Sequence, residues 1–248
     1  MASHAGYKLV RRRAQLGSSR ARSMSSRRPS MSLHADFLSA IRARMESFGL
    51  CRWRPPERIL HTAGESPERS VQIHVAYYRT HCSSQIRIGV GFRDVQERLA
   101  ALFSGEKARA RLRNPLISAS LGQLSGVGIR SFVVCSQAEI GTEVDLIEQA
   151  VRDEGLSLWN EARTVDRALD MIEGEPPRAA VLVPREDLRA LKVIAMCAAL
   201  GDLERFDRNV RFEAAYLERV LGQAERDQFL IHAEALRAPY SPSRRRRS

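Results

Sequence analysis

From residue 34 onward the apolar positions fall into two rhythms. Phe37, Ile41, Met45 and Phe48 recur at helical spacing with Leu38 beside them, which predicts one amphipathic helix over about 34–48, closed by Gly49 as its C-cap. Extended segments are predicted next at 50–54 and 58–62, on either side of the Pro55–Pro56 break, with a turn over 64–69. Val71, Ile73, Val75 and Tyr77 then alternate with Gln72, His74, Ala76 and Tyr78, and after a short link Ile86, Ile88, Val90 and Phe92 alternate with Gln85, Arg87, Gly89 and Gly91. Period-two alternation in two neighbouring segments predicts an antiparallel pair of strands, with one apolar face under the first helix. The other face carries His74, Tyr78, Gln85 and Arg87.

The helical rhythm returns at 95–103, with Val95, Leu99, Leu102 and Phe103 inward and Asp94 as the expected N-cap. Residues 104–114 are polar and basic and read as a loop or sub-boundary. Strands are predicted at 116–121 and 131–136 around the glycine-rich 122–128, read as a flexible hairpin loop. Val144, Ile147 and Val151 mark a helix ending at Gly155, and 165–172 another. Residues 179–183 fit either a short apolar strand or the approach to a helix begun by Pro184. From there to Leu236 the period is helical, with breaks at Gly201 and Gly222. The pattern as a whole predicts an α+β fold, an antiparallel sheet with helices packed on one face and a helical C-terminal third.

Charge changes the picture at the ends. The chain has 40 basic and 29 acidic residues, a net +11. Residues 1–33 hold eight basic and no acidic residues, and 237–248 hold five basic and none acidic, so residues 34–236 keep 27 basic against 29 acidic. The expected organisation is a disordered basic tail at 1–33, one domain over 34–236 and an Arg-rich tail at 237–248. The first tail admits three readings: a start of translation at Met24 or Met31, an Arg- and Ser-rich transit peptide, or an arm that touches nucleic acid or acidic lipid. Nucleic-acid binding through the tails predicts weak, nonspecific affinity that falls steeply with salt and vanishes when both tails are removed. No stretch has the roughly 18–20 apolar residues a membrane-spanning helix needs. The four cysteines are scattered, without paired spacing, as suits a reducing compartment. A soluble, cytoplasmic protein is expected.

Motifs that would carry chemistry are incomplete. Gly89-Val90-Gly91 lies between a strand and a helix, as a dinucleotide fingerprint requires, but Asp94 stands where the third glycine belongs and would repel a pyrophosphate. Residues 122–128 lack the Lys-Ser/Thr end of a phosphate loop. His61, His74, His81 and Cys82 supply metal donors at spacings that match no ligand rhythm. The acidic residues of 143–154 spread around a helix face, and Trp53 and Trp159 suit core edges as well as interfaces. No catalytic residue, cofactor or metal is assigned.

One stretch resembles a known family. Phe37, Ile41, Phe48-Gly49-Leu50, Trp53-Arg54, Val71-Gln72-Ile73 and Ile88-Gly89-Val90-Gly91 resemble, over residues 34–103, a bacterial family of small α+β domains of unknown function. The missing catalytic constellation, the near-neutral core and the half-polar sheet face point to a non-enzymatic binding module, with an enzyme whose site is assembled from distant residues as an alternative. The resemblance implies a protein partner, of immunity type for members beside secreted toxins. It carries over no catalytic residues. The face bearing His74, Tyr78, Gln85 and Arg87 is the candidate partner surface, with Gly89 and Gly91 expected to leave room for the partner.

Overall fold

The computed structural model describes residues 31–55, 58–64, 66–174 and 177–238. Both tails, apart from Met31–Leu33 and Arg237–Ala238, lie outside them. Helix α1 (Met31–Met45) starts three residues earlier than the apolar stripe predicts, and Leu33 already belongs to the core. Phe37, Ile41 and Met45 are fully buried, each side chain contributing about 1.5–3 kcal/mol by leaving water. A 3₁₀ turn (Glu46–Phe48) follows, and Gly49 ends it in the left-handed conformation, φ 75°.

Six strands form one antiparallel sheet: β1 (Arg52–Arg54), β2 (Ile59–His61), β3 (Glu68–Tyr77), β4 (Cys82–Gly91), β5 (Ile117–Ser120) and β6 (Phe132–Val134). The long β3–β4 ladder sets Val71 against Ile88 and Ile73 against Ile86 on one face, and Gln72 against Arg87 and His74 against Gln85 on the other. β2 pairs with β3 only over Ser70–Gln72. Past β2 the Ile73 N–H donates to the Arg58 carbonyl at 2.9 Å and the Arg58 side chain donates to the Val75 carbonyl at 3.2 Å, and among the described residues no strand continues the pairing further. β5 and β6 do not form the expected hairpin. They lie in tandem on β4, β5 opposite Arg87–Val90 and β6 opposite Cys82–Ser84. The intervening glycine loop folds on itself instead: a Cβ at Gly122 (φ 89°) would come within 2.1 Å of the Gly128 carbonyl oxygen. The buried Glu154 accepts from the Gly122 N–H at 2.7 Å.

Helices cover the apolar face: α1, and α4 (Ile140–Ala150), which runs through a wider π turn (Val151–Gly155) into α5 (Leu156–Glu161). The helix therefore passes through Gly155 instead of ending there. Trp159 is core, its indole N–H donating to the Gly89 carbonyl at 3.1 Å. Helix α2 (Arg93–Ala101) begins one residue before Asp94, so Asp94 sits in its first turn and Phe92 is the N-cap. An acid there still favours the helix dipole. Residues 104–114 are not a loop: 105–113 form α3 (Gly105–Arg113), seated on α2. The remaining helices are α6 (Val165–Asp170), α7 (Pro177–Leu182), α8 (Glu186–Leu200), α9 (Leu203–Val220) and α10 (Gln223–Arg237). The segment that fitted strand or helix at 179–183 is thus helical. α8 is buried nearly all round over Arg189–Cys197 and packs against α2, α6, α9 and α10. Gly201 (φ 71°) and Gly222 (φ 108°) separate the last three helices, as expected. One buried apolar cluster runs from Leu33 to Leu236. Among the described residues no helix is long and apolar enough to cross a membrane.

Candidate functional site

The polar face of the β3–β4 ladder is divided. At its open end His74, Tyr78 and Gln85 border a shallow depression of about 210 Å³, with Arg58 on its rim. Burial, then Arg87 and Arg58, lower the His74 pKa below the usual histidine value, so its neutral form is favoured. Arg87 belongs elsewhere. It lies two residues along β4 from Gln85, opposite Gln72, and with Gln72 it lines a separate cavity of about 240 Å³ roofed by α2, α3 and α8. The room expected beside Gly89 and Gly91 is filled from within the fold. A Cβ on Gly89 would come 2.7 Å from the Pro115 Cβ, and one on Gly91 would come 3.1 Å from the Gln96 side-chain amide. Two glycines there let the 114–116 segment cross close to β4, where the Leu116 N–H donates to the Val90 carbonyl at 2.8 Å. That crossing forms a wall of the cavity.

Three cations reach this cavity from three elements. Strand alternation turns Arg87 away from Ile86 and Ile88, and β5 holds its guanidinium through the Ser118 hydroxyl at 3.0 Å and carbonyl at 3.4 Å. Burial lowers its pKa. Arg111 arrives from α3 with its guanidinium 5.1 Å over the Phe103 ring, and its buried Nε has no hydrogen-bond partner among the described residues. Burial and Arg185 lower its pKa, against a smaller opposite effect of Asp187. Lys192 stands in the buried run of α8 and donates from Nζ to the Leu116 carbonyl. By surface area it is half-buried, yet its ammonium is closely surrounded by protein, because the surface it keeps is turned to the cavity. Burial first, then Arg111 and Arg87, bring its pKa down to about 7.

Among the described residues the lining of this cavity contains no carboxylate, histidine or cysteine. Cations held together without a counter-charge raise one another's energy, and a small anion is the group that would lower it. Gln72, Asn114 and Ser118 add polar groups to the wall. Elsewhere, among the described residues, no three His, Cys, Asp or Glu side chains group closely enough to hold a metal. The four donors considered in sequence are dispersed: His61 is buried beside Glu68, His81 stacks on Tyr78 and Cys82 is buried in the core.

Sequence reasoning found Arg87 but not its companions, which come from a helix read as a loop and from the middle of an apolar run. A signal for Lys192 was present. Only three of the 40 basic residues are lysines, and this one is flanked by Leu191, Val193 and Ile194. No protein-family model, curated protein or solved structure matches the chain.

Proposed function

We propose that this protein is a non-enzymatic binding module for a small anion, held between Arg87, Arg111 and Lys192. The observation supporting this is the convergence of three half-buried cations on one cavity with no acid among its described lining residues. Charge-assisted hydrogen bonds from two guanidiniums and an ammonium are the strong kind, and guanidiniums match the oxygens of carboxylate, sulfate and phosphate. Titration calorimetry with sodium sulfate, whose charge is constant over the range, should give one saturable site per chain. Arg87→Gln should weaken it at least tenfold. A bound anion favours the protonated form of Lys192, so affinity should fall as pH rises from 6 to 9 through the lowered lysine pKa. Equal sulfate affinity in wild type and Arg87→Gln would exclude the cavity as the site.

A second reading, the protein partner implied by the sequence resemblance, is favoured by the rim of the sheet. β3 outruns β2 beyond Gln72, and Tyr77 and Tyr78 at the ladder's end are 48% and 49% exposed beside His74 and Gln85. A partner strand added along β3 beyond Ile73 would bond to the main chain at the Val75 N–H and place side chains in the depression. A partner captured by the full chain and identified by mass spectrometry should be lost with Val75→Pro and kept with Arg87→Gln. Capture unaffected by Val75→Pro would exclude this rim.

A further inference from the structure

The cationic cavity has a neighbour. Arg111 and Leu188 line both it and a second cavity of about 320 Å³ bounded by the turn after α2 and by α3, α8, α9 and α10. The second one is walled chiefly by Phe103, Leu188, Leu191, Leu217 and Phe229, with His232 tilted against Phe103 at 5.3 Å between ring centroids. Its charged lining residues are largely paired or set at the margin: Arg185 is bound to Asp187 at 2.5 Å, and Lys107 is exposed. Arg111 therefore sits where the two chambers meet, with one face of its guanidinium over Phe103 and its Nε unpartnered.

Building on the anion-site reading, we infer that the ligand is an amphiphilic organic anion, with its head among Arg87, Arg111 and Lys192 and an apolar body lying along Phe103, Leu191 and Phe229. Each chamber alone is at or below the size of an ordinary small-molecule site, whereas the two together fall within that range. A bare inorganic ion would use the first chamber and leave the second, more apolar one without a role. The inference asks only for one charged end and an unbranched or aromatic apolar end. Carboxylates and phosphate monoesters both meet it.

Chain length is the discriminating variable. Straight-chain carboxylates from acetate to decanoate, below their micellar concentrations, should displace sulfate competitively from the full-length protein. Affinity should rise about fourfold for each added methylene and then level off when the second chamber is full. Octyl phosphate against inorganic phosphate forms a parallel arm, and the tighter binder at equal chain length identifies the head. Arg111→Gln should weaken octanoate and acetate alike, since it removes a contact to the head. A flat series, with acetate and octanoate equal while sulfate still binds through Arg87, would overturn the amphiphile and leave the anion site standing. A rise with chain length that neither saturates at one equivalent nor competes with sulfate would place the apolar body outside this cavity and would also overturn it. No binding of sulfate or of any acid would remove both readings.

Discussion

Glu213→Ala should lower the melting temperature by roughly 6–20 °C, which corresponds to about 3–5 kcal/mol for a broken buried ion pair in a chain of this size. Glu213 and Arg189 form two parallel hydrogen bonds of 2.7 Å between α9 and α8, with 3% of the arginine and none of the glutamate side chain exposed. Arg189 also donates to the carbonyls of Ile172 and Gly174 at 3.2 and 2.6 Å, which ties the end of α6 to the same point. Removing the carboxylate leaves the guanidinium in the core with two of its five hydrogen bonds gone and only the partly exposed Glu186, at 3.1 Å, as a counter-charge. The double replacement Arg189→Met, Glu213→Leu should lose much less than Glu213→Ala, because no orphaned charge remains. Thermal denaturation by circular dichroism reads both. A single variant that melts with the wild type would mean that water reaches the pair.

Lys192→Met should act in the opposite direction and raise the melting temperature by roughly 2–12 °C at pH 6, about 1–3 kcal/mol, in a chloride buffer free of sulfate and phosphate. The sign follows from the lysine's two states. Unfolded, it holds its proton to its ordinary value near 10.4; folded, only to about 7. Between those values the unfolded chain binds more protons, so the lysine's contribution to stability rises with pH across that window. Below it both states are charged, and the full cost of keeping an ammonium among arginines is present. The advantage of methionine should thus be largest at pH 6 and shrink towards pH 10. An advantage that does not change with pH would show that packing, and not charge, is what methionine improves. Stability given up at Lys192 is also the kind of cost that marks sites kept for binding.

How far the sequence leads depends on whether a residue's neighbours are local. The α1 stripe and the β3–β4 alternation are periodic in themselves, and both appear in the structure, the first with Phe37, Ile41 and Met45 buried and the second as an antiparallel pair with Val71, Ile73, Ile86 and Ile88 buried, while Tyr77 is exposed. α3 escaped because it buries none of its residues. Without an apolar stripe, only the helix-forming character of its Glu, Lys, Ala and Arg residues marked it. The tandem placement of β5 and β6 escaped because pairing with β4 is decided by partners some thirty to fifty residues away. The candidate site failed to show for the same reason. Arg87, Arg111 and Lys192 are brought together by packing of α3 and α8 over the sheet, and nothing in their spacing along the chain records it.

The tandem strands also bear on how the molecule behaves among copies of itself. A sheet grows into fibres or disordered aggregates by recruiting a strand along a long, unbroken border. On one side this sheet ends in β5 and β6, four and three residues long and separated by the folded glycine loop, and on the other in the three-residue β1. Neither gives an incoming chain a run long enough to template a stack. On the outer edge of β3 beyond β2, the Arg58 carbonyl accepts from the Ile73 N–H at 2.9 Å and the Arg58 guanidinium rests on the Val75 carbonyl, a charged guard where polymerisation would otherwise begin.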